Sequence, residues 1–328
     1  MKHSIAVLLV VFGLHSMATA QVTVDENLPD YVPGAPVAGS IKSVGSDTMN
    51  NMMTLWSEGF RKYYPNVKIE IEGKGSSTAI PALVQGTSNF GPMSRAAKPA
   101  EQNDFEKRFG YKAVQLPTSI DMLAVYVNKG NPIKGLTLPQ ADAIFSSTRK
   151  LGNATDIRTW GQSGLTGEWA NAPISMYGRN SASGTYGFFK EEVLGKGDYK
   201  SSVKEQPGSS AVVQGVATDK FGIGYSGIGY ITSDVRAVPL ASAAGEDFVE
   251  ATPNNASKYP LSRPLLLTVN FKPGSSLDPL RREFVKYIFS KQGQADVVKD
   301  GYLPIPAKAA QKALESVGIV VPAAAAAK

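Results

Sequence analysis

The run Arg179-Asn180-Ser181-Ala182-Ser183-Gly184-Thr185 sets one guanidinium, several hydroxyls and a glycine side by side. Before it, Pro173-Ile174-Ser175-Met176-Tyr177-Gly178 reads as a buried strand, and residues 186–194 after it read as a helix. The segment is therefore a strand-to-helix turn. The first backbone N–H groups of a helix have no intrahelical partner, and the helix dipole adds partial positive charge there. Gly184 lets an anion approach the backbone, and Ser183 and Thr185 can cap the turn or donate hydroxyls. Arg179 offers a planar fork that matches a tetrahedral oxyanion. The chemistry this turn suggests is anion binding. Taken alone, the same residues also make an ordinary helix cap beside a surface arginine.

Other turns of the same kind shift that balance. Gly45-Ser46-Asp47-Thr48 follows a short strand, Ile41-Lys42-Ser43-Val44. Gly73-Lys74-Gly75-Ser76-Ser77-Thr78 follows Val67, Ile69 and Ile71, which alternate with charged residues as a strand does, and it opens a helix at 79–85. Phe90-Gly91-Pro92-Met93-Ser94-Arg95 reads as another turn, ending in a hydroxyl and an arginine. The Gly-Lys-Gly-Ser-Ser-Thr run lacks the spacing of a nucleotide P-loop, which needs Lys directly before Ser/Thr.

The elements that must position these turns follow from periodicity. Met49, Met52, Met53, Trp56, Phe60 and Tyr63 recur at three- and four-residue spacing, one face of an amphipathic helix and a core stripe rather than a cofactor box. Residues 114–116 and 122–127 read as two strands separated by Pro117-Thr118-Ser119. Helices are expected around 140–145, at 211–217 behind the cap Gly208-Ser209-Ser210, and at 279–290. Residues 221–225 and 265–270 read as buried strands, and 21–38 as a loose leader. This alternation predicts an α/β architecture with largely parallel sheets, which bind ligands at the carboxyl ends of their strands. On that architecture the hydroxyl-rich turns form one constellation.

Composition narrows the class further. The 328 residues, 42% hydrophobic and 19% charged, suit two globular domains. A net charge of +6 without a Lys/Arg block gives little support to nucleic acid and is compatible with a small anionic ligand. Met1-Lys2-His3, an apolar run from Ile5 to Leu14 and Ala18-Thr19-Ala20 predict a secretory signal peptide cleaved near Ala20, hence an exported, periplasmic protein. There is no Cys, and the only His residues are His3 and His15 inside that signal. The mature chain thus has no soft metal ligand, which excludes zinc chemistry and Cys- or His-based nucleophilic catalysis; no cofactor is implied.

Gly45-Ser46-Asp47-Thr48-Met49, Gly75-Ser76-Ser77-Thr78 and Arg179-Asn180-Ser181-Ala182-Ser183-Gly184-Thr185 resemble the periplasmic phosphate-binding component of the ABC phosphate uptake system, a type II solute-binding family. Ala143-Ile144-Phe145-Ser146, Tyr259-Pro260-Leu261-Ser262-Arg263-Pro264-Leu265 and Gly301-Tyr302-Leu303-Pro304 support the resemblance. They stand in the family's order and span nearly the whole mature chain. The resemblance implies a two-lobed α/β fold with the ligand cleft between lobes joined by two crossovers. One lobe would comprise 21–118 plus 264–328 and the other 119–263. It implies inorganic phosphate as ligand, a membrane ABC permease as partner, a monomer, and no catalysis.

Phosphate contacts carry over to Ser46, Thr48, Ser76, Arg179, Ser183, Gly184 and Thr185, with Ser77 beside them. The first turn aligns to within one residue, so Asp47 and Thr48 can exchange roles. The family often has an Asp where this chain has Arg95, and that Asp accepts the proton of bound phosphate. Either Asp47 takes over, or the discrimination differs. Asp47 also reads as a cap for the helix starting near Met49. The competing functions are a binding protein for sulfate, molybdate or tungstate, and a secreted phosphatase using Asp- or Glu-held metal.

Overall fold

The computed structural model describes residues 22–320, so the signal-peptide reading and the Ala-rich tail lie outside the described residues. In chain order the first part of the fold is β1 (Gly39–Val44), α1 (Asn50–Arg61), β2 (Val67–Glu72), α2 (Ala79–Val84), β3 (Phe90–Met93), α3 (Pro99–Phe109) and β4 (Val114–Asn128). The middle holds β5 (Leu136–Thr137), α4 (Leu138–Phe145), β6 (Ser175–Arg179), α5 (Gly184–Glu192), β7 (Lys204–Gln206), α6 (Ser209–Thr218), β8 (Gly222–Gly227), β9 (Val235–Ala237) and β10 (Leu240–Ala241). The chain returns through β11 (Ser262–Val269), α7 (Pro279–Ile288), α8 (Lys291–Lys299), β12 (Leu303–Pro304) and α9 (Ala307–Glu315).

Local chemistry accounts for several of these boundaries. The apolar stripe of α1 is fully buried from Met52 to Phe60, and Trp56 Nε1 donates to Gly293 O at 2.8 Å. Tyr63, counted with that stripe from its spacing, lies beyond the end of α1 and is exposed. Helix α3 starts with Pro99 in its first turn, the Lys98 N–H donates to the Glu101 carboxylate at 2.7 Å, and the helix ends at Gly110 with φ 79°. Thr137 caps α4 by accepting from Gln140 N at 3.2 Å.

Among the described residues, ten strands form one mixed sheet in the order β2-β1-β3-β11-β4-β8-β6-β7, with β9 and β12 also pairing β4, and β5 and β10 pair apart from it. The outer runs β2-β1-β3 and β8-β6-β7 are parallel, whereas β11 and β4 run antiparallel to their neighbours. The largely parallel sheet expected from element alternation is thus corrected at its centre. Residues 114–116 and 122–127 are not two strands but parts of the single strand β4. Its register against β11 passes from Leu265↔Ser119 to Leu266↔Pro117, leaving Thr118 as a bulge whose Oγ1 donates to Leu265 O at 3.1 Å. Pro117, with no N–H to give, is tolerated beside that irregularity. Residues 90–93, read as a turn, are strand β3. Pro92 withholds only a donor there, and its carbonyl still accepts from Ser46 N at 2.8 Å.

Two large cores flank the centre of the sheet. One gathers Met52, Trp56, Phe60, Phe90, Leu267 and Phe284. The other gathers Val125, Phe145, Trp160, Phe189, Tyr225 and Leu261. β4 gives Leu116 to the first and Leu123, Val125 and Val127 to the second. The leader is not loose over its whole length. Leu28 and Tyr31 are buried in the first core, and Tyr31 OH donates to Glu283 Oε2 at 2.8 Å.

Asp300 closes α8 with one buried carboxyl oxygen, Oδ2, lacking a hydrogen-bond partner. Burial, with Asp121 nearby, pushes its pKa up from 3.8 to about 7. The folded state therefore keeps a proton that the unfolded chain loses, and stability falls as pH rises from about 4 to about 7. Asp300→Asn should stabilise the fold at pH 8, by about 1–2 kcal/mol after allowing for partial solvent access, with a higher thermal midpoint, and lose that advantage at pH 4. Melting curves at the two pH values check this; a variant less stable than the parent at pH 8 would show that the ionised carboxylate is held favourably.

Candidate functional site

The hydroxyl-rich turns converge where the two halves of the sheet meet. Asp47–Met49 and Ser76–Thr78 are short 3-10 turns leading into α1 and α2, and Ser183 caps α5, accepting from Thr185 N at 3.1 Å and Tyr186 N at 3.4 Å. Across the gap, Thr48 Oγ1 lies 2.9 Å from Thr185 Oγ1, and Ser77 N donates to Ala182 O at 3.1 Å. Ser76 Oγ accepts from Ser94 N at 3.0 Å, and Ser46 Oγ donates to Ser94 Oγ at 3.0 Å. Ser46, Thr48, Ser76, Ser183, Gly184 and Thr185 are all buried. Turns at three helical starts thus bring their hydroxyls together.

Arg179, the last residue of β6, is buried to 1% exposure. Its Nη1 donates to Ser209 Oγ at 2.8 Å, its Nη2 to Pro207 O at 3.2 Å, and its Nε is buried without a partner. Burial pushes the guanidinium pKa down, Asp47 opposes that, and Arg263 adds to it. Asp47 Oδ1 stands 3.2 Å from Arg179 Nη1 and accepts from Ser209 N at 2.7 Å. Asp47 is therefore a helix cap, but not of the helix starting near Met49. It caps α6, on the opposite wall, as the charge at a helix N-terminus favours.

Arg95 is turned away from this cluster. Both oxygens of Glu101 hold its guanidinium, at 2.6 and 2.8 Å, and Ser77 Oγ accepts from its Nη2 at 3.3 Å. Burial alone would raise the Glu101 carboxyl, but Arg95 and the Lys98 N–H bring it below its usual range. Ser77 and Arg95 thus sit at the margin, Arg95 lining a cavity of about 760 Å³ together with Ser183, Tyr186 and Arg263.

A second guanidinium that motif reading did not assign to the site reaches it from β11. Arg263 is 2% exposed and donates through Nε and Nη2 to Asp121 Oδ2 at 2.9 and 2.8 Å. Its Nη1 donates to Ser94 O at 2.9 Å, and its Nη2 to Thr185 Oγ1 at 2.9 Å. Because Thr185 Oγ1 accepts from Arg263, its own proton points elsewhere, to Thr48 or to a ligand. Tyr230 OH donates to Asp47 O at 2.9 Å and Tyr302 OH to Thr48 O at 3.0 Å, fixing the first turn from two sides. Asp121 and Tyr230 carry no local spacing signal, and Tyr302 stood in a supporting motif, Gly301–Pro304, without being assigned to the site. Arg263 stood in the supporting stretch Tyr259–Leu265, just before the strand read at 265–270, and strand β11 in fact begins at Ser262.

Two α/β lobes facing each other across a donor-lined cleft define the type II solute-binding fold. Residues 32–292 match the family model described as a PBP superfamily domain. The chain is 51% identical over 321 residues to the phosphate-binding protein PstS of Pseudomonas aeruginosa, covering 97% of this chain and 99% of that one. Protein SphX of Synechococcus elongatus is 26% identical over 270 residues, covering 81% and 77%. Among solved structures, the Clostridium perfringens protein described as a phosphate ABC transporter substrate-binding protein with bound phosphate superposes with a TM-score of 0.68 at 28% identity, covering 81% of this chain and all of that one. An ABC-type phosphate transport receptor from Vibrio cholerae shares the fold, with a TM-score of 0.62 at 23% identity, covering 81% and 100%. The chain belongs to the PstS phosphate-binding family within the PBP superfamily.

Gly184 is a tight point of the cleft, since a Cβ there would lie 2.2 Å from Ser76 Oγ and 2.7 Å from Ser94 Oγ. Gly184→Ala should hold the walls apart without weakening α5, in which Ala is the better helix former. Small-angle scattering should show a larger radius of gyration than the parent with anion present, at a thermal midpoint no lower than the parent's without anion. A variant as compact as the parent would mean that the walls do not meet at this residue.

Proposed function

We propose that this chain is an exported solute-binding protein that captures inorganic phosphate between its lobes and delivers it to a membrane ABC permease. The observation that carries the reading is the buried Arg179, with one free donor, set among hydroxyls and N–H groups from both walls. The 51% identity to a protein named for phosphate binding supports the choice of anion. In this reading Ser46, Thr48, Ser76, Arg179, Ser183, Gly184 and Thr185 contact the ligand, and Ser77 and Arg95 shape the mouth. The lobes are 21–118 plus 264–328 and 119–263, acting as a monomer. The protein works in the periplasm after losing its signal peptide near Ala20. It does no chemistry on the ligand: the relatives carry binding-protein names, and rapid capture and release need an intact anion.

Asp47 is the group that selects. Phosphate near neutral pH still carries a proton, and sulfate has none to donate. A carboxylate beside Arg179 accepts that proton's hydrogen bond from phosphate. Against sulfate it is left facing a lone pair, an unsatisfied contact that such sites turn into strong rejection. Asp47→Asn keeps an oxygen for Ser209 N, so the cap of α6 survives. Calorimetric titration should show the phosphate-over-sulfate preference falling at least tenfold with little loss of thermal stability. An unchanged preference would mean that another acceptor selects.

Arg179→Ala should weaken phosphate binding at least tenfold, more than about 1.4 kcal/mol, because charge-assisted bonds in a dry cleft are about twice as strong as neutral ones. Near-parent affinity would place the main site elsewhere. Incubating the same protein with a chromogenic phosphomonoester, with and without divalent metal, should release no dye; metal-dependent release would favour the phosphatase reading.

A further inference from the structure

At the other end of β6 lies a second basic cavity. Ser175 begins that strand and Arg179 ends it, so the two regions are separated by about 13 Å of extended chain. The cavity has a volume of about 580 Å³, within the range that accommodates small-molecule ligands. Arg149, Arg158, Lys200 and Lys204 line it, with Asp156 as the one carboxylate of the lining. Asp219 stands behind Lys204 at 3.7 Å, so four cations face two carboxylates.

Arg149 and Lys200 are held by the surrounding backbone, whereas the Arg158 and Lys204 side chains are more than half exposed. Arg149 adopts φ 48°, a left-handed conformation uncommon outside glycine. Ser146 Oγ, accepting from Thr148 N at 2.9 Å and Arg149 N at 3.0 Å, keeps it there, as does Asp142 Oδ2 accepting from Leu151 N at 2.7 Å. The Arg149 Nε is buried and has no hydrogen-bond partner among the described residues. Lys200 Nζ donates to Ala143 O at 2.8 Å and Ile157 O at 3.0 Å and pairs with Asp156, which also takes Arg158 Nε. Lys204 Nζ lies 4.6 Å from the centre of the Tyr177 ring and donates to its hydroxyl at 3.1 Å. Burial, with Arg158 and Arg149 adding repulsion, pushes the Lys200 ammonium down, and Asp156 offsets it only in part. Strained backbone, an unpartnered buried donor and uncompensated like charge are features that binding sites retain.

We propose that this cavity binds an oligophosphate group, inorganic or nucleoside-linked. The cations come from separate segments around a space that holds many more atoms than one tetrahedral anion. Lys200, whose three donors go to Ala143 O, Ile157 O and Asp156, adds charge only, and Arg149, Arg158 and Lys204 are the ones with donors for a ligand. A di- or triphosphate spans the cavity, and Ser201 and Ser202 on its wall supply further hydroxyl donors. Ile157, Ile174 and Met176 give it an apolar side against which a nucleoside can lie.

The test is calorimetry on the full mature protein in magnesium-free buffer at 0.15 M salt. The cleft is first saturated with phosphate, and tripolyphosphate or ATP is then titrated. One further molecule should bind per chain. Arg149→Asn with Arg158→Gln removes two charges and keeps a side chain suited to the left-handed position at 149. This double variant should bind the second ligand at least tenfold more weakly while its phosphate affinity stays within twofold. Tighter binding of ATP than of tripolyphosphate would assign a nucleotide, and the reverse an inorganic chain. No second binding event, or one that the double variant leaves intact, overturns the proposal. Failure of the initial phosphate titration would count against the cleft reading alone.

Discussion

Two buried guanidinium groups set the terms for the rest of this structure. Arg179 and Arg263 end up almost without solvent at the meeting of the lobes, and a buried charge is tolerated only with a partner. Asp47 answers the first from across the cleft, and Asp121 answers the second from the neighbouring strand β4. Each pairing ties remote parts of the chain to one point. Arg263 and Asp121 are both without solvent, and removing one partner of such a pair typically costs about 3–5 kcal/mol, whereas Asp47 keeps some solvent access and an amide oxygen in its place can still accept from Ser209 N. The hydroxyls of Thr48, Ser76, Ser94 and Thr185 then arrange themselves around fixed charges, and Arg263 decides which way the Thr185 proton turns.

What was legible in the sequence was local. The stripe from Met49 to Phe60, the alternation of Val67, Ile69 and Ile71, and the turn from Arg179 to Thr185 each declare themselves within a few residues, because helix and strand periods are short. The partners were not legible. Asp121 and Arg263 are 142 residues apart, and Asp47 meets Ser209 over 162. Nothing in the spacing of either pair announces the contact. Tyr31 likewise looked like part of a loose leader because its anchor, Glu283, lies 252 residues on. The split reading of β4 failed for a different reason. Proline is a strong local breaker, but a bulge supplied by tertiary pairing removes the need for its missing donor.

The site also shows how one chemical group can serve two ends. Asp47 as a cap of α6 and Asp47 as a neighbour of Arg179 are the same carboxylate, since an N-terminal helix start and a guanidinium both offer donors to it. The arrangement reaches from a turn of one lobe to a helix of the other. An anion lodged beside it meets donors that are already oriented, so little reorganisation is needed on binding.

β4 has one more consequence. Its fifteen residues run unbroken from one core to the other, pairing β11 over the first part and β8 and β9 over the last. A lobe that lost its structure would strip the neighbouring lobe of half a central strand. The two halves therefore share a single folding unit, and heat or denaturant meets one cooperative transition rather than two. Neither half keeps a complete central sheet without the other.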